Sequence, residues 1–174
     1  VDNIPYVPKH HLTVQLDGVE TKDYTMIMGY PGRTNRYLTS FGIKEALQTT
    51  YPEIIKIRTK KIDIIKNEMA NDETIELQYA AKVFNVSNYW KKLIGQSKAL
   101  KKMKVYDEKL KIENEFRAWL DSNENNKIKY GNILESLEES YKRNKKIALN
   151  RTYLTETIFQ GPEILSFSYT MRNR

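Results

Sequence analysis

The stretch Tyr79-Ala-Ala-Lys-Val-Phe-Asn-Val-Ser-Asn-Tyr-Trp-Lys-Lys-Leu-Ile-Gly95 sets the reading of the whole chain. Ile75, Tyr79, Val83, Val86, Trp90 and Leu93 recur at helical spacing, which predicts a helix with one buried face. Within it, Asn85-Val86-Ser87-Asn88 introduces short polar side chains that compete with the helix for backbone hydrogen bonds, so a strain point or break is predicted there. Two readings stand side by side. In one, the helix is kinked and Ser87 caps a second half beginning at Asn88. In the other, Asn88 is presented to a ligand.

Outward from this segment, the pattern predicts helices over about 40–50, 52–70, 72–95, 97–120, 128–159 and from 162 onward. Thr50-x-x-Glu53 reads as a capping box with Pro52 in the first turn. Ile54, Ile55, Ile57, Ile62, Ile64, Ile65 and Met69 make the following helix apolar around more than half its circumference. Asn71 is positioned to cap the next helix. The stripe Leu100, Met103, Leu110, Phe116, Trp119, Leu120 is thin, and it is expected to pair with Ile133, Leu134, Leu137, Tyr141 and Ala148 in an antiparallel hairpin across the polar loop 121–126. Gly161-Pro162 ends that helix and allows another to start.

The amino-terminal part reads differently. Pro5 and Pro8 suit an extended lead-in. Leu12 to Leu16 alternates apolar and polar residues, Asp17-Gly18 is a turn signal, and Tyr24 to Met28 is a second apolar run, so two strands are expected. A lone two-stranded ribbon is marginal in water, so these strands are expected to belong to a larger sheet. Pro31-Gly32 fits a type II turn, and Arg33 and Arg36 beside it are expected to pair with carboxylates or carbonyls. The predicted fold is therefore mainly α: an antiparallel helical bundle built of hairpins (40–174), preceded by a short β-ribbon (1–39) that belongs to a larger β-barrel. Exposed apolar surface at both ends suggests a segment of a longer protein. The ribbon's open edge could pair with a second copy to give a homodimer.

Composition narrows the chemistry. The 174 residues carry a net charge of +7, with pI near 9.3, and no cysteine, so disulfides, thiolate nucleophiles and cysteine metal sites are excluded. His10 and His11 are adjacent in an extended approach where successive side chains point apart, which argues against a metal site. No phosphate-cradling glycine loop, zinc helix motif or hydrolase elbow is present, and no cofactor is implied. Glu113, Glu115, Glu135, Glu138 and Glu139 lie among Lys and Arg at helical spacings and read as surface ion pairs. Three basic clusters (Arg58, Lys60 and Lys61; the lysines of 91–104; 142–146) mostly have acidic neighbours, as on a solvated helix face, so no nucleic-acid partner is expected. No run of about 18 apolar residues suggests a membrane span.

Four stretches carry a resemblance: Asn3-Ile-Pro-Tyr-Val-Pro-Lys-His-His-Leu12, Met26-Ile-Met-Gly-Tyr-Pro-Gly-Arg-Thr-Asn-Arg-Tyr-Leu-Thr-Ser40, Gln78-Tyr-Ala-Ala-Lys-Val-Phe-Asn-Val-Ser-Asn-Tyr-Trp-Lys91 and Tyr153-Leu-Thr-Glu-Thr-Ile-Phe-Gln-Gly-Pro-Glu163. In this order and spacing the chain resembles bacterial serine dipeptidyl-peptidases of the dipeptidyl-peptidase 7 and 11 type, nearly end to end. The resemblance implies a chymotrypsin-like double β-barrel with an inserted helical domain that caps the cleft, and this chain would supply the end of the first barrel half and much of the cap. It also implies that the Ser-His-Asp triad lies outside residues 1–174, so His10 and His11 are not catalytic and the segment alone is inactive. Asn88 matches the helical-domain asparagine that helps bind the substrate's free amino terminus, with Ser87 as the alternative. The implied partners are a peptide with a free amino terminus and the barrel of the same polypeptide. The implied location is the periplasm, exterior or outer surface of a Gram-negative bacterium. The rival reading from charge alone is a free-standing basic helical module that binds nucleic acid or an acidic protein.

Overall fold

A computed structural model describes residues 4–26, 28–29, 32 and 34–172, and the chain divides into two units, Val1–Thr34 and Asn35–Arg174. In the first unit no described residue lies in a β-strand, so the strand expected over residues 12–16 is not formed and the described part of the second run, 24–28, is not in one either. Their alternating apolar side chains, Leu12, Val14, Leu16 and Tyr24 among them, are exposed. The physical reason is the marginality of a two-stranded ribbon: alternation becomes a strand only when a sheet covers one face. The turn between the two runs does form. The Glu20 amide donates to Asp23 Oδ2 at 2.8 Å, with Gly18 at φ +73° just before it. The predicted Pro31-Gly32 turn and Arg33 fall partly outside the described residues.

The second unit is helical. Helix α1 (Ser40–Glu45) passes through a π-helical segment (Ala46–Thr50) directly into α2 (Tyr51–Met69). The expected helix start at Thr50 is therefore absent, and its hydroxyl bonds to Glu45 instead of capping a backbone amide. The wider turn, in which the Tyr51 amide reaches back to the Ala46 carbonyl, lets the chain keep helical direction where Pro52 supplies no amide. Helix α3 (Glu73–Lys102) is capped by Asp72, whose Oδ1 accepts from the Thr74 amide at 2.7 Å, rather than by Asn71. It runs unbroken through Asn85-Val86-Ser87-Asn88 and through Gly95, so the predicted break is not there. The chain turns instead at Lys104, in the left-handed region at φ 51°.

Helix α4 (Val105–Asp121) leads through α5 (Glu124–Tyr130) to α6 (Ile133–Tyr153), which continues as a second π-helical segment (Leu154–Phe159) before α7 (Glu163–Arg172). Helix α5 occupies part of the expected polar loop 121–126, and α4 and α6 both pack on α1. Gly42 permits that arrangement: a Cβ there would stand 2.7 Å from the Tyr141 hydroxyl of α6. Where α4 meets α1, the Glu113 carboxylate accepts from both the Ser40 amide and the Ser40 hydroxyl, each at 2.6 Å. Glu113 is thus buried and not a surface ion-pair partner.

The most extensive contact is α2 along α3. It buries Ile54, Ile62 and Leu93 and is tied by the Trp90 indole N–H donating to Thr59 Oγ1 at 2.8 Å. At the far end, Gly161 closes the second π-helical segment, and a Cβ there would collide with the Thr157 carbonyl oxygen. Gly161→Ala should therefore cost more than about 1 kcal/mol. Calorimetric melting of the full-length protein checks this, and an unchanged melting temperature would mean that the helix end relaxes freely.

Candidate functional site

The residues of α3 divide into two arcs. Ile75, Tyr79, Val83, Val86 and Trp90 are half-buried and Leu93 is buried, so the predicted apolar face exists and points at α2. Ser87 belongs to this arc and is half-buried. The opposite arc carries Leu77, Phe84, Asn85, Asn88 and Lys91, all exposed, and the Asn88 amide makes no hydrogen bond to any described residue. A mid-helix asparagine with a free amide group has one donor and one acceptor end available to something beyond these residues. Beside it, the Tyr89 ring is flanked by two cations, the Arg58 guanidinium at 4.7 Å and the Lys92 ammonium at 5.4 Å from its centroid.

Arg58 is the residue whose role sequence reading missed. Counted there with the surface basic cluster, it is buried and forms a two-pronged pair with Glu156: Nε to Oε2 and Nη2 to Oε1, both at 2.9 Å. Its Nη2 also donates to Gln160 Oε1 at 2.9 Å, and its Nη1 to the Val86 carbonyl of α3 at 3.3 Å. The signal was legible in part, because Arg58 falls in the stripe Ile54-Arg58-Ile62, at an apolar position of α2. Its partner lies 98 residues away and could not be read from spacing.

The second π-helical segment shapes this site. At its end, Lys61 Nζ donates to two backbone carbonyls, Glu156 O at 3.1 Å and Gln160 O at 2.6 Å. Burial holds the Lys61 ammonium below the usual lysine range; the Glu156 carboxylate opposes that, and Arg58 and Lys82 add to it. Burial likewise raises the Tyr51 hydroxyl, with further contributions from Tyr89 and Glu45. Together the two π-helical segments, α2, α6 and Tyr89 of α3 wall a cleft of about 510 Å³ that includes Thr50, Arg58, Arg151 and Glu156. Asn88 stands outside this cleft, one residue from its Tyr89 wall. Among the described residues no cluster of His, Asp and Glu could hold a metal ion, and no helix is long and apolar enough to cross a membrane.

His10 and His11 lie in the first unit and are exposed. Asn88 thus stands exposed on α3, whose Val86 carbonyl on the inner side accepts from Arg58 of the buried Arg58–Glu156 pair.

Comparison with known proteins gives the family. The peptidase S46 family model matches residues 1–174. An Asp/Glu-specific dipeptidyl-peptidase of Flavobacterium psychrophilum is 39% identical over 170 residues, 98% of this chain and 24% of that protein. Proteins named dipeptidyl-peptidase 7 from Porphyromonas gingivalis and Porphyromonas endodontalis are 36% and 38% identical, over 96% and 94% of this chain and 23% and 20% of their own lengths. The chain thus spans about a quarter of the length of these relatives. With its match to the family model running from the first residue to the last, the chain belongs to the peptidase S46 family.

Proposed function

We propose that this chain is the helical cap segment of a serine dipeptidyl-peptidase, with residues 1–39 leading out of the catalytic barrel and 40–174 covering its cleft, and that Asn88 helps bind the free amino terminus of the peptide substrate. The observation that carries the proposal is the state of Asn88: exposed in the middle of an unbroken helix, its amide without a hydrogen bond to any described residue, in a chain related throughout its length to dipeptidyl-peptidases. Release of dipeptides requires the enzyme to measure two residues from a free amine to the scissile carbonyl, so an acceptor must be fixed at a set distance from the nucleophile. A helix braced on its inner side provides that. The Asn88 side-chain oxygen accepts from the ammonium, a bond to a charged donor worth roughly 1.5–3 kcal/mol.

The triad and the side-chain selectivity are supplied from outside residues 1–174. Relatives named for Asp/Glu specificity and relatives named dipeptidyl-peptidase 7 match to a similar degree, which is consistent with a segment serving the shared part of the activity. The proposed compartment is the periplasm or cell exterior, where such peptides are met.

Asn88→Ala in the full-length enzyme should lower kcat/KM for unblocked dipeptidyl substrates about 10- to 100-fold, at about 1.4 kcal/mol per decade. Stability should hold or rise by a few tenths of a kcal/mol, because alanine is the better helix former at an exposed interior position (~0.5 kcal/mol). An unchanged kcat/KM removes Asn88 as the amine ligand. A fall in melting temperature with normal kinetics would assign it a purely structural role.

A further inference from the structure

We propose that Arg58 is a positioning residue for the amine site: a single guanidinium sets the α3 turn that carries Asn88 against the second π-helical segment. This rests on the reading of Asn88 as amine ligand. The contacts lie on both sides of that residue. Arg58 Nη1 donates to the Val86 carbonyl, two residues before Asn88, and its guanidinium packs over the ring of Tyr89, one residue after it. The neighbouring α2 residue Thr59 accepts from Trp90, so consecutive residues of α2 grip consecutive turns of α3.

The guanidinium cannot shift independently, because Glu156 holds it in a bidentate fork and Gln160 takes a further N–H. Glu156 itself sits in a π-helical segment, a rare geometry found frequently at functional sites. A backbone ligated from inside by a rigid fork has one axial position and one rotation, and a ligand-binding side chain on its outer face inherits both. An amine acceptor displaced by about 1 Å loses much of its value. A surface helix needing only to be stable would be served as well by apolar packing, which often replaces a buried pair at no cost. The pair's distinguishing property is direction: it specifies where Val86 and Tyr89 stand relative to Glu156.

The test uses the full-length enzyme with the pair exchanged for apolar residues, Arg58→Met together with Glu156→Leu, so that no unpaired charge is left buried. This variant should fold, yet its KM for substrates with a free amino terminus should rise about tenfold with kcat changed less. Hydrogen exchange at the amides of residues 86–92 should be faster. Adding Asn88→Ala should then cost little more, because both changes remove the same interaction. A folded variant with wild-type KM and wild-type exchange overturns the proposal, and so does full additivity with Asn88→Ala. If Asn88→Ala alone leaves kcat/KM unchanged, the amine reading fails by itself, and exchange at 86–92 decides the positioning role: faster exchange supports it, unchanged exchange overturns it.

Discussion

Glu156→Ala is expected to destabilise the helical unit by about 3–5 kcal/mol, the largest effect of any single substitution considered for this chain. The side chains of Arg58 and Glu156 are only 9% and 5% exposed, so removing the carboxylate leaves a largely buried guanidinium without its counter-charge. Two of its donors lose their acceptor at once, and Gln160 and Val86 can compensate for only part of the charge. The loss extends beyond the pair. Lys61 bridges the carbonyls of Glu156 and Gln160, so a collapse of the fork also exposes the end of the π-helical segment. Exchanging both partners for apolar residues should recover most of the stability, since no charge is then stranded. Denaturant unfolding of the two variants decides between these outcomes: a single-variant cost under about 1 kcal/mol would mean that water reaches the guanidinium.

The contrast between what could and could not be read from the sequence follows the range of the interactions. The buried arc of α3, from Ile75 to Leu93, was legible because helical periodicity is a local property and each residue reports on neighbours three or four positions away. The stop at Gly161-Pro162 was legible for the same reason. The predicted break at Asn85 to Asn88 was not realised. Polar side chains weaken a helix by tenths of a kcal/mol each, while the packing of Val86, Trp90 and Leu93 on α2 contributes several-fold more and keeps the helix intact. The same balance works in reverse in the first unit. There, alternation at Leu12 to Leu16 points to a strand, yet no tertiary surface within the unit covers it and none forms.

Arg58 and Glu113 were misread by a single rule, that charges at helical spacing face water. Both occupy stripe positions, Arg58 between Ile54 and Ile62 and Glu113 between Leu110 and Leu120, which is a local warning that a charge is turned inward. What the sequence could not supply is the partner, because Ser40 lies 73 positions from Glu113 and Glu156 lies 98 from Arg58. Asn88 illustrates the other limit. Its chemistry was nominated by resemblance, and the fold adds that its amide bonds to no described residue and that its helix is continuous, which makes it a mid-helix residue and not a cap.

The second large effect is expected at Glu113, which fastens α4 to the start of α1. Ser40 is the first residue of α1, where backbone amides lack helical acceptors, and the Glu113 carboxylate takes both its N–H and its hydroxyl at 2.6 Å. The carboxylate also faces the positive end of the helix, a favourable placement for its charge. Thr39 already caps through Gly42, so Glu113→Ala would not remove every acceptor at this end; it would leave a buried amide and a buried hydroxyl unpaired. Two bonds to a charged group at roughly 1.5–3 kcal/mol each, reduced by what water recovers, give an expected loss of about 2–4 kcal/mol. Glu113→Gln should cost only about 1 kcal/mol, because its oxygen can accept from the Ser40 amide while its NH2 donates to the hydroxyl, which can reverse its role from donor to acceptor. Ser40→Ala should then be less damaging in the glutamine variant than in the wild type, since there it removes a neutral hydrogen bond, whereas in the wild type it takes a charge-assisted donor from a buried carboxylate. Urea unfolding of the four proteins measures that coupling, and equal costs of Ser40→Ala in both backgrounds would show that the carboxylate is hydrated and that α1 is held by its apolar contacts alone.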